Sequence, residues 1–123
     1  MKLRGVQVFV EDLVKARYFY ERILRLRAVR HESAPNAVVY ALGTAELVVT
    51  AANKHAADAA LIGRFTGITL AASNLEAIYR RAQAVGEMFD TLPHTLESGL
   101  TVARIHDPSH NVLTLMQKPH RSA

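Results

Sequence analysis

The chain has no cysteine and no tryptophan. Without a thiol it can form neither a disulfide framework nor a thiolate metal site, and catalysis by a cysteine nucleophile is excluded. It also has no apolar run long enough to span a bilayer, and its N-terminal stretch reaches Glu11 and Asp12 too soon for the apolar region of a signal peptide. These absences predict a cytoplasmic protein that makes no use of a membrane.

What is present is an ordinary globular composition with a basic excess. Half of the 123 residues are apolar and the formal net charge is +4, so we expect one compact domain over residues 1–123. Basic side chains concentrate in and after the first predicted helix, at Lys15, Arg17, Arg22, Arg25, Arg27 and Arg30. A nucleic-acid surface would need exposed aromatic rings among them, but part of the Tyr18–Tyr20 set must pack inward. We therefore interpret this segment as a solvated basic face, with nucleic-acid binding as the alternative.

A weak internal repeat is the most informative global feature. When the sequence is shifted by 62 residues, GVQVFVEDL at 5–13 lies over GITLAASNL at 67–75. Each stretch predicts a strand that ends at a helix N-cap, Asp12 in the first and Asn74 in the second. The same order of strand, cap and helix in both halves indicates two related modules.

A helical period follows each cap. In the first half the apolar residues that recur at spacings of three and four are Leu13, Ala16, Phe19 or Tyr20, Ile23 and Leu24. In the second half they are Leu75, Ile78, Tyr79 and Ala82. Ser73 and Glu76 could form a capping box as an alternative start of the second helix, and Gly86 is placed to end it.

Three strand candidates follow each predicted helix. Their approximate bounds are 27–32, 37–42, 46–52, 87–92, 100–106 and 111–117. The alanine-rich segment 53–63 predicts a short helical connector. The resulting order is βαβββ twice, an α+β fold with modules at about 1–56 and 64–123. Two such modules can curve into a half-barrel mixed sheet with a concave face that a ligand or a partner would fill.

The HDPSHN segment at 106–111 carries two histidines and an aspartate. Pro108 fixes its own φ and disfavours helical geometry at Asp107. His106 and His110 therefore cannot form the i, i+4 pair of a helical zinc motif. We interpret the segment as a hairpin turn between two strands.

Two motifs resemble those of the vicinal oxygen chelate superfamily, the glyoxalase, bleomycin-resistance and extradiol-dioxygenase group. The first comprises Asp12-Leu13, Ala16, Phe19-Tyr20 and Leu24, and the second is Asp107-Pro108-Ser109-His110-Asn111 followed by VLTLM. Arg25 and His110 stand where the family usually has glycine, which implies a positive φ at His110, a residue that tolerates it. The resemblance covers nearly the whole chain and implies the half-barrel fold.

The resemblance also implies where a metal would bind. Enzymatic members usually hold one divalent ion on the concave face with histidine and glutamate side chains, and the ion acts as a Lewis acid on substrate oxygens. The corresponding positions here are Gly5, the 47–51 segment, Gly67 and Thr114. None carries an imidazole or a carboxylate, so we expect no metal and no other cofactor there. Glu46 and His106 are the side chains that could act as relocated ligands in a divergent enzyme, so whether the chain is an enzyme stays open.

Period-two alternation from Gly5 and Gly67 predicts the residues on the concave face. Strand residues of unassigned parity complete the candidate ligand-binding set, which is Gln7, Phe9, Tyr40, Thr50, Thr69, Arg104, Thr114 and Met116. These side chains would line an apolar cleft with a few hydroxyls and an amide. Arg104 either lies on the solvent side or anchors an anionic ligand.

The resemblance therefore favours the drug-sequestering branch of the family, which keeps the fold without the metal ligands. We expect metal-independent binding of a small apolar or anionic molecule, in a homodimer that covers exposed strand edges. Cationic bleomycin-type ligands are disfavoured because the chain is basic and has no tryptophan. The alternatives are a divergent metal-dependent lyase, isomerase or dioxygenase-like enzyme, and a protein- or nucleic-acid-binding module that uses the basic first helix.

Overall fold

A computed structural model describes residues 1–33, 36–52 and 57–119. The first module comprises β1 (Gly5–Val10), α1 (Leu13–Tyr18), a π-helical turn (Phe19–Ile23), β2 (Arg27–Ser33), β3 (Asn36–Leu42) and β4 (Ala45–Ala51). A 3-10 turn (Ala57–Leu61) precedes the second, which comprises β5 (Phe65–Ala71), α2 (Leu75–Gln83), β6 (Phe89–Thr95), β7 (Thr101–His106) and β8 (Val112–Gln117). The predicted order βαβββ is confirmed in both halves. Part of the predicted connector, 53–56, lies outside the described residues.

The strands form two open four-stranded sheets of identical topology. Their orders are β1-β4-β3-β2 and β5-β8-β7-β6. The pairs β1/β4 and β5/β8 are parallel, and the remaining pairs are antiparallel. The fold is therefore α+β with mixed sheets, as predicted.

Both helices begin at the predicted caps. Asp12 Oδ1 accepts a hydrogen bond from the Lys15 N–H at 3.2 Å, and Asn74 Oδ1 accepts one from the Ala77 N–H at 3.1 Å. These bonds satisfy backbone donors that have no partner inside the helix. Gly86 follows α2 with a positive φ of 142°. No helix in the described part of the chain is long and apolar enough to span a membrane.

The first helix departs from the predicted regular period. After Tyr18 it widens into the π-helical turn, in which the Leu24 N–H donates to the Phe19 carbonyl five residues earlier. The wider turn places both Phe19 and Tyr20 in the core, with their rings edge to face at 4.9 Å. Tyr18 stays exposed.

One hydrophobic cluster includes residues of both sheets and both helices. Its strand residues alternate along the chain, as Val8 and Val10 do on β1 and Leu113 and Leu115 do on β8. Since successive strand side chains point to opposite faces, each sheet has one face that packs on its helix and one that does not. We call the second the open face, although Ala37, Val39 and Thr50 on that face of the first sheet are buried.

The HDPSHN segment forms the predicted turn and joins the two modules. Asp107 is fully buried, and its carboxylate accepts hydrogen bonds from the Tyr20 hydroxyl at 2.8 Å and from the backbone N–H groups of Ser109 and Asn111 at 2.9 and 3.0 Å. The Asn111 amide donates to Asp107 at 3.0 Å and to the Phe9 carbonyl at 2.8 Å. A carboxylate with four donors is stable without a counter-cation, so this turn has a structural role.

Two non-glycine residues among those described have a positive φ, Arg25 at 57° and His110 at 67°. The value at His110 confirms the implied left-handed conformation. Arg25 follows the π-helical turn at the other position where the family usually has glycine. A residue with a Cβ is strained there by about 1–2 kcal/mol.

Candidate ligand-binding site

Three of the predicted ligand-binding residues meet on the open face of the first sheet. Val8 and Val10 pack in the core, so Gln7 and Phe9 lie on the other face of β1. Phe9 pairs with Thr50 on β4. The Gln7 amide donates a hydrogen bond to the Thr50 hydroxyl at 3.1 Å. The Gln7 and Thr50 side chains thus form a polar pair beside the Phe9 ring.

Four more of the predicted ligand-binding residues meet on the open face of the second sheet. Thr114 on β8 pairs with Thr69 on one side and with Arg104 on the other. Met116 lies two residues further along β8 on the same face. Arg104 is exposed, and its guanidinium carbon lies 4.9 Å from the centroid of the Phe65 ring. It forms no ion pair with any described residue.

Tyr40 is placed differently from the prediction. It pairs with Leu47 on the helix-covered face, and both side chains are fully buried. Its hydroxyl donates to Glu21 Oε2 at 2.9 Å, and burial followed by this hydrogen bond raises the pKa of Tyr40 well above its ordinary value. Tyr40 therefore joins the π-helical turn to the sheet and does not line the open face. β3 is apolar on both faces, so alternation could not assign its parity.

The first family metal position is closed by the backbone. Gly5 pairs with Glu46, and a Cβ at residue 5 would lie 2.8 Å from the Glu46 carbonyl oxygen. The Glu46 carboxylate itself accepts two hydrogen bonds from Arg30, at 2.8 and 2.9 Å. These bonds lower the pKa of Glu46. The carboxylate that could act as a relocated ligand is thus committed to a guanidinium.

The third family metal position lies in an irregular stretch of β5. Phe65 pairs with Val112 and Thr69 with Thr114, so four steps along β5 match two along β8. Gly67 lies in the resulting bulge with a φ of 74°, a conformation that glycine adopts without strain.

The residues present do not fit the family's metal. The fourth position, Thr114, offers a hydroxyl, which is a weak ligand without carboxylates beside it. Within residues 1–33, 36–52 and 57–119, no three histidine, aspartate or glutamate side chains lie together so that they could hold an ion.

Sequence reasoning did not connect His106 with its acidic partner. His106 ends β7 and pairs with Val112, which places it on the open face with Arg104. Its Nδ1 lies 3.1 Å from Asp90 Oδ1, and its ring stacks on that of His110 with centroids 5.1 Å apart. Asp90 is sixteen residues away in sequence, and only the pairing of β6 with β7 brings it close.

A cavity of about 610 Å³ lies beside the unpaired edge of β5. It is mainly apolar, with walls that include Leu3, Val6, Leu26, Leu42, Ile68 and Leu70. Thr69 is the one predicted ligand-binding residue in its lining. A smaller cavity of about 140 Å³ is lined in part by Gln7 and Phe9. The larger cavity has the volume of a small-molecule site.

Comparisons with known proteins agree with this architecture. The structure of TnmS3, an antibiotic binding protein from Streptomyces sp. CB03234, is 22% identical with a TM-score of 0.75 over 96% of each chain. A superfamily member from Sphaerobacter thermophilus DSM 20745 is 21% identical with a TM-score of 0.74, over 96% of this chain and 98% of that one. A lactoylglutathione lyase from Agrobacterium tumefaciens is 17% identical with a TM-score of 0.68, over 94% and 92%. At these identities the likeness shows the fold alone.

No curated protein matches the chain significantly. The family model described as Glyoxalase/Bleomycin resistance protein/Dioxygenase superfamily matches residues 2–115. That match covers nearly the whole chain, both motifs and both modules. The chain belongs to the glyoxalase/bleomycin resistance protein/dioxygenase superfamily.

Proposed function

We propose that this protein binds a small apolar or anionic organic molecule on its open faces, without a metal ion. The observation that carries the proposal is the environment of Arg104. This guanidinium stands over the Phe65 ring, Arg104 is the register partner of Thr114, and no described carboxylate pairs with the guanidinium.

The chemistry of this surface favours an aromatic or apolar anion. A guanidinium binds a carboxylate through two parallel hydrogen bonds, and each charge-assisted bond is stronger than a neutral one. The Thr69 and Thr114 hydroxyls can donate to the same oxygens. Phe65 and its register partner Val112 offer apolar contact to the body of the ligand.

The residues at the family metal positions support binding without the metal. Gly5 has no room for a side chain, and Glu46 is held by Arg30. The open face therefore supplies hydrogen-bond donors and apolar surface where a metalloenzyme of this family would supply a Lewis acid. TnmS3 is described as an antibiotic binding protein, and that relative supports binding of an organic molecule in preference to chemistry on it.

The experiment is a thermal-shift screen of metabolites, aromatic carboxylates and antibiotics in the presence of EDTA, followed by calorimetry of the hits. A ligand that binds only the folded state raises the melting temperature. We expect an anionic hit, and we expect Arg104→Met to weaken it at least about tenfold, the loss of a charge-assisted contact. Arg80→Gln is the matched control, because Arg80 is exposed on α2 and paired with Glu76. Equal affinity in wild type and Arg104→Met, or no hit in EDTA, would contradict the proposal.

The two alternatives have less support. A divergent metalloenzyme would need Glu46 or His106 as ligands, and these side chains contact Arg30 and Asp90. A nucleic-acid surface would need several exposed rings on the first helix, where Tyr18 alone is exposed and Phe19 and Tyr20 are buried. Salt-dependent retention on heparin tests the second alternative.

A further inference from the structure

A second cavity of about 410 Å³, which shares Leu26 and Leu70 with the cavity of about 610 Å³, lies where the end of the π-helical turn meets α2. Its walls include the apolar side chains Leu24, Leu26, Leu70, Ile78 and Leu115. Two arginines, Arg25 and Arg81, also line it. None of the candidate residues of the open faces takes part.

Arg81 is held in position by the first module. Its Nε–H donates to the Ile23 carbonyl at 2.9 Å, which fixes the plane of the guanidinium across the junction of the modules. Its two terminal nitrogens make no hydrogen bond to any described residue. A guanidinium anchored through Nε presents the remaining donors as a preorganised fork.

Arg25 occupies a position that would be relaxed with glycine. Its φ of 57° is strained for a residue with a Cβ, and the side chain is exposed at the cavity. Backbone strain of this kind is common where a side chain is needed for binding. The side chain makes no ion pair with the described residues, so no ion pair offsets the strain.

The two positive charges act on each other. Burial, followed by the charge of Arg25, lowers the pKa of Arg81. Neither arginine forms an ion pair with a described carboxylate. Like charges held together on the folded chain are unfavourable unless an anion binds between them.

We propose that this cavity binds the oxyanion head of a small amphiphilic molecule, a carboxylate or a phosphate monoester, between Arg25 and Arg81. The apolar walls receive the hydrocarbon body, and the volume is that of a small-molecule site. Ser73 and Asn74 also line the cavity, at the amino-terminal end of the nine-residue helix α2. The site is distinct from the open-face site and does not depend on it.

The test is calorimetric titration with hexyl phosphate and with inorganic phosphate. In the Arg104→Met variant, which lacks the open-face anchor, we expect hexyl phosphate to bind with one-to-one stoichiometry and more tightly than inorganic phosphate, because only the former contacts the apolar walls. Arg25→Gly is expected to weaken binding at least about tenfold through loss of a charge-assisted contact. The same change relieves the strained φ and should leave the melting temperature equal or higher, which separates binding from folding. Arg81→Met is expected to weaken binding similarly.

The controls are Arg80→Gln on the outer side of α2 and Arg104→Met on the open face. Arg80→Gln should bind hexyl phosphate as the wild type does, and Arg104→Met, which removes the open-face anchor, should keep the binding that Arg25→Gly loses. If the wild-type protein did not bind hexyl phosphate at millimolar concentration, the proposal would be overturned. Unchanged affinity in Arg25→Gly would also overturn it, and so would a loss confined to Arg104→Met, because the anion would then lie on the open face.

Discussion

At the scale of single residues, Asp107 is the carboxylate on which the joining of the modules depends. It is fully buried and accepts four hydrogen bonds, one of them from Tyr20 in the first module. Asp107→Asn replaces two accepting oxygens with one and places an amide donor against donors. We expect the free energy of unfolding to fall by about 2–4 kcal/mol, since unsatisfied buried groups cost their desolvation energy. Urea denaturation at pH 7 measures the change.

Tyr20→Phe is the matched control for that variant. It removes one of the four donors and leaves the carboxylate with three. The expected loss is smaller, about 1–2 kcal/mol for one bond to a charged acceptor. An Asp107→Asn variant as stable as the wild type would show that the turn does not depend on the carboxylate.

The residue scale also shows where sequence reasoning succeeded and failed. Pro108 and the glycine-like position of His110 were enough to predict the turn and its positive φ. Nothing local indicated that Asp107 would be buried, because its partner Tyr20 is 87 residues away. The face of Tyr40 could not be predicted, because both faces of β3 carry apolar side chains and alternation gives no parity.

At the scale of elements, the contact of β1 with β4 requires glycine at residue 5. A Cβ there would lie 2.8 Å from the Glu46 carbonyl, closer than van der Waals contact allows. Gly5→Ala should therefore push the strands apart and lower the free energy of unfolding by about 1–3 kcal/mol. Urea denaturation measures the loss.

Gly67→Ala provides the comparison in the second module. A Cβ added at residue 67 would have no neighbouring atom within 4 Å, so the cost comes from the positive φ of 74° alone. That cost is about 1–2 kcal/mol. If Gly5→Ala were neutral, the close approach of the two strands would not be real.

The helix–sheet contact through Glu21 predicts a pH dependence. Hydrogen bonds from Arg17 and from Tyr40 lower the pKa of Glu21 below its ordinary value of about 4.5. A lowered folded-state pKa contributes stability above the unfolded value, and that contribution disappears as pH falls through the folded value. Arg17→Gln should therefore reduce the free energy of unfolding at pH 7 by under about 1 kcal/mol, because the pair is half exposed, and by much less at pH 3.

Urea denaturation at both pH values measures that difference. Arg80→Gln serves as control, since its pair with Glu76 is mostly exposed and should contribute little at either pH. An equal loss at pH 3 and pH 7 in Arg17→Gln would mean that the ion pair is not its cause.

The sequence predicted the elements better than their irregularities. Caps, periodicity and turn residues placed eight strands and two helices within a few residues. The π-helical turn and the bulge at Gly67 were missed, because each results from packing between elements and leaves no periodic signal. The bulge matters for the site, since it removes residue 67 from the simple alternation used to assign the face of β5.

At the scale of the whole molecule, the outer strands β2 and β6 have an unpaired edge in the described structure. Exposed apolar side chains accompany them, Val29 on β2 and Leu92 on β6. Such edges are usually covered by another chain. We expect a homodimer in light scattering coupled to gel filtration, and we expect Leu92→Lys to shift it toward monomer if β6 forms the interface. A monomer at about 100 µM, well above the Kd of a dimer of micromolar affinity, would contradict the expectation.

The central claim is that this member of the superfamily binds its ligand without the family's metal. Calorimetric titration of chelator-treated, tag-free protein with Ni²⁺, Zn²⁺, Mn²⁺ and Fe²⁺ tests it most directly. We expect no stoichiometric binding at micromolar concentration, because Gly5 and Gly67 have no donor atoms and Glu46 is held by Arg30. One equivalent of metal bound at micromolar affinity, and lost in Glu46→Gln or in His106→Ala, would contradict the account.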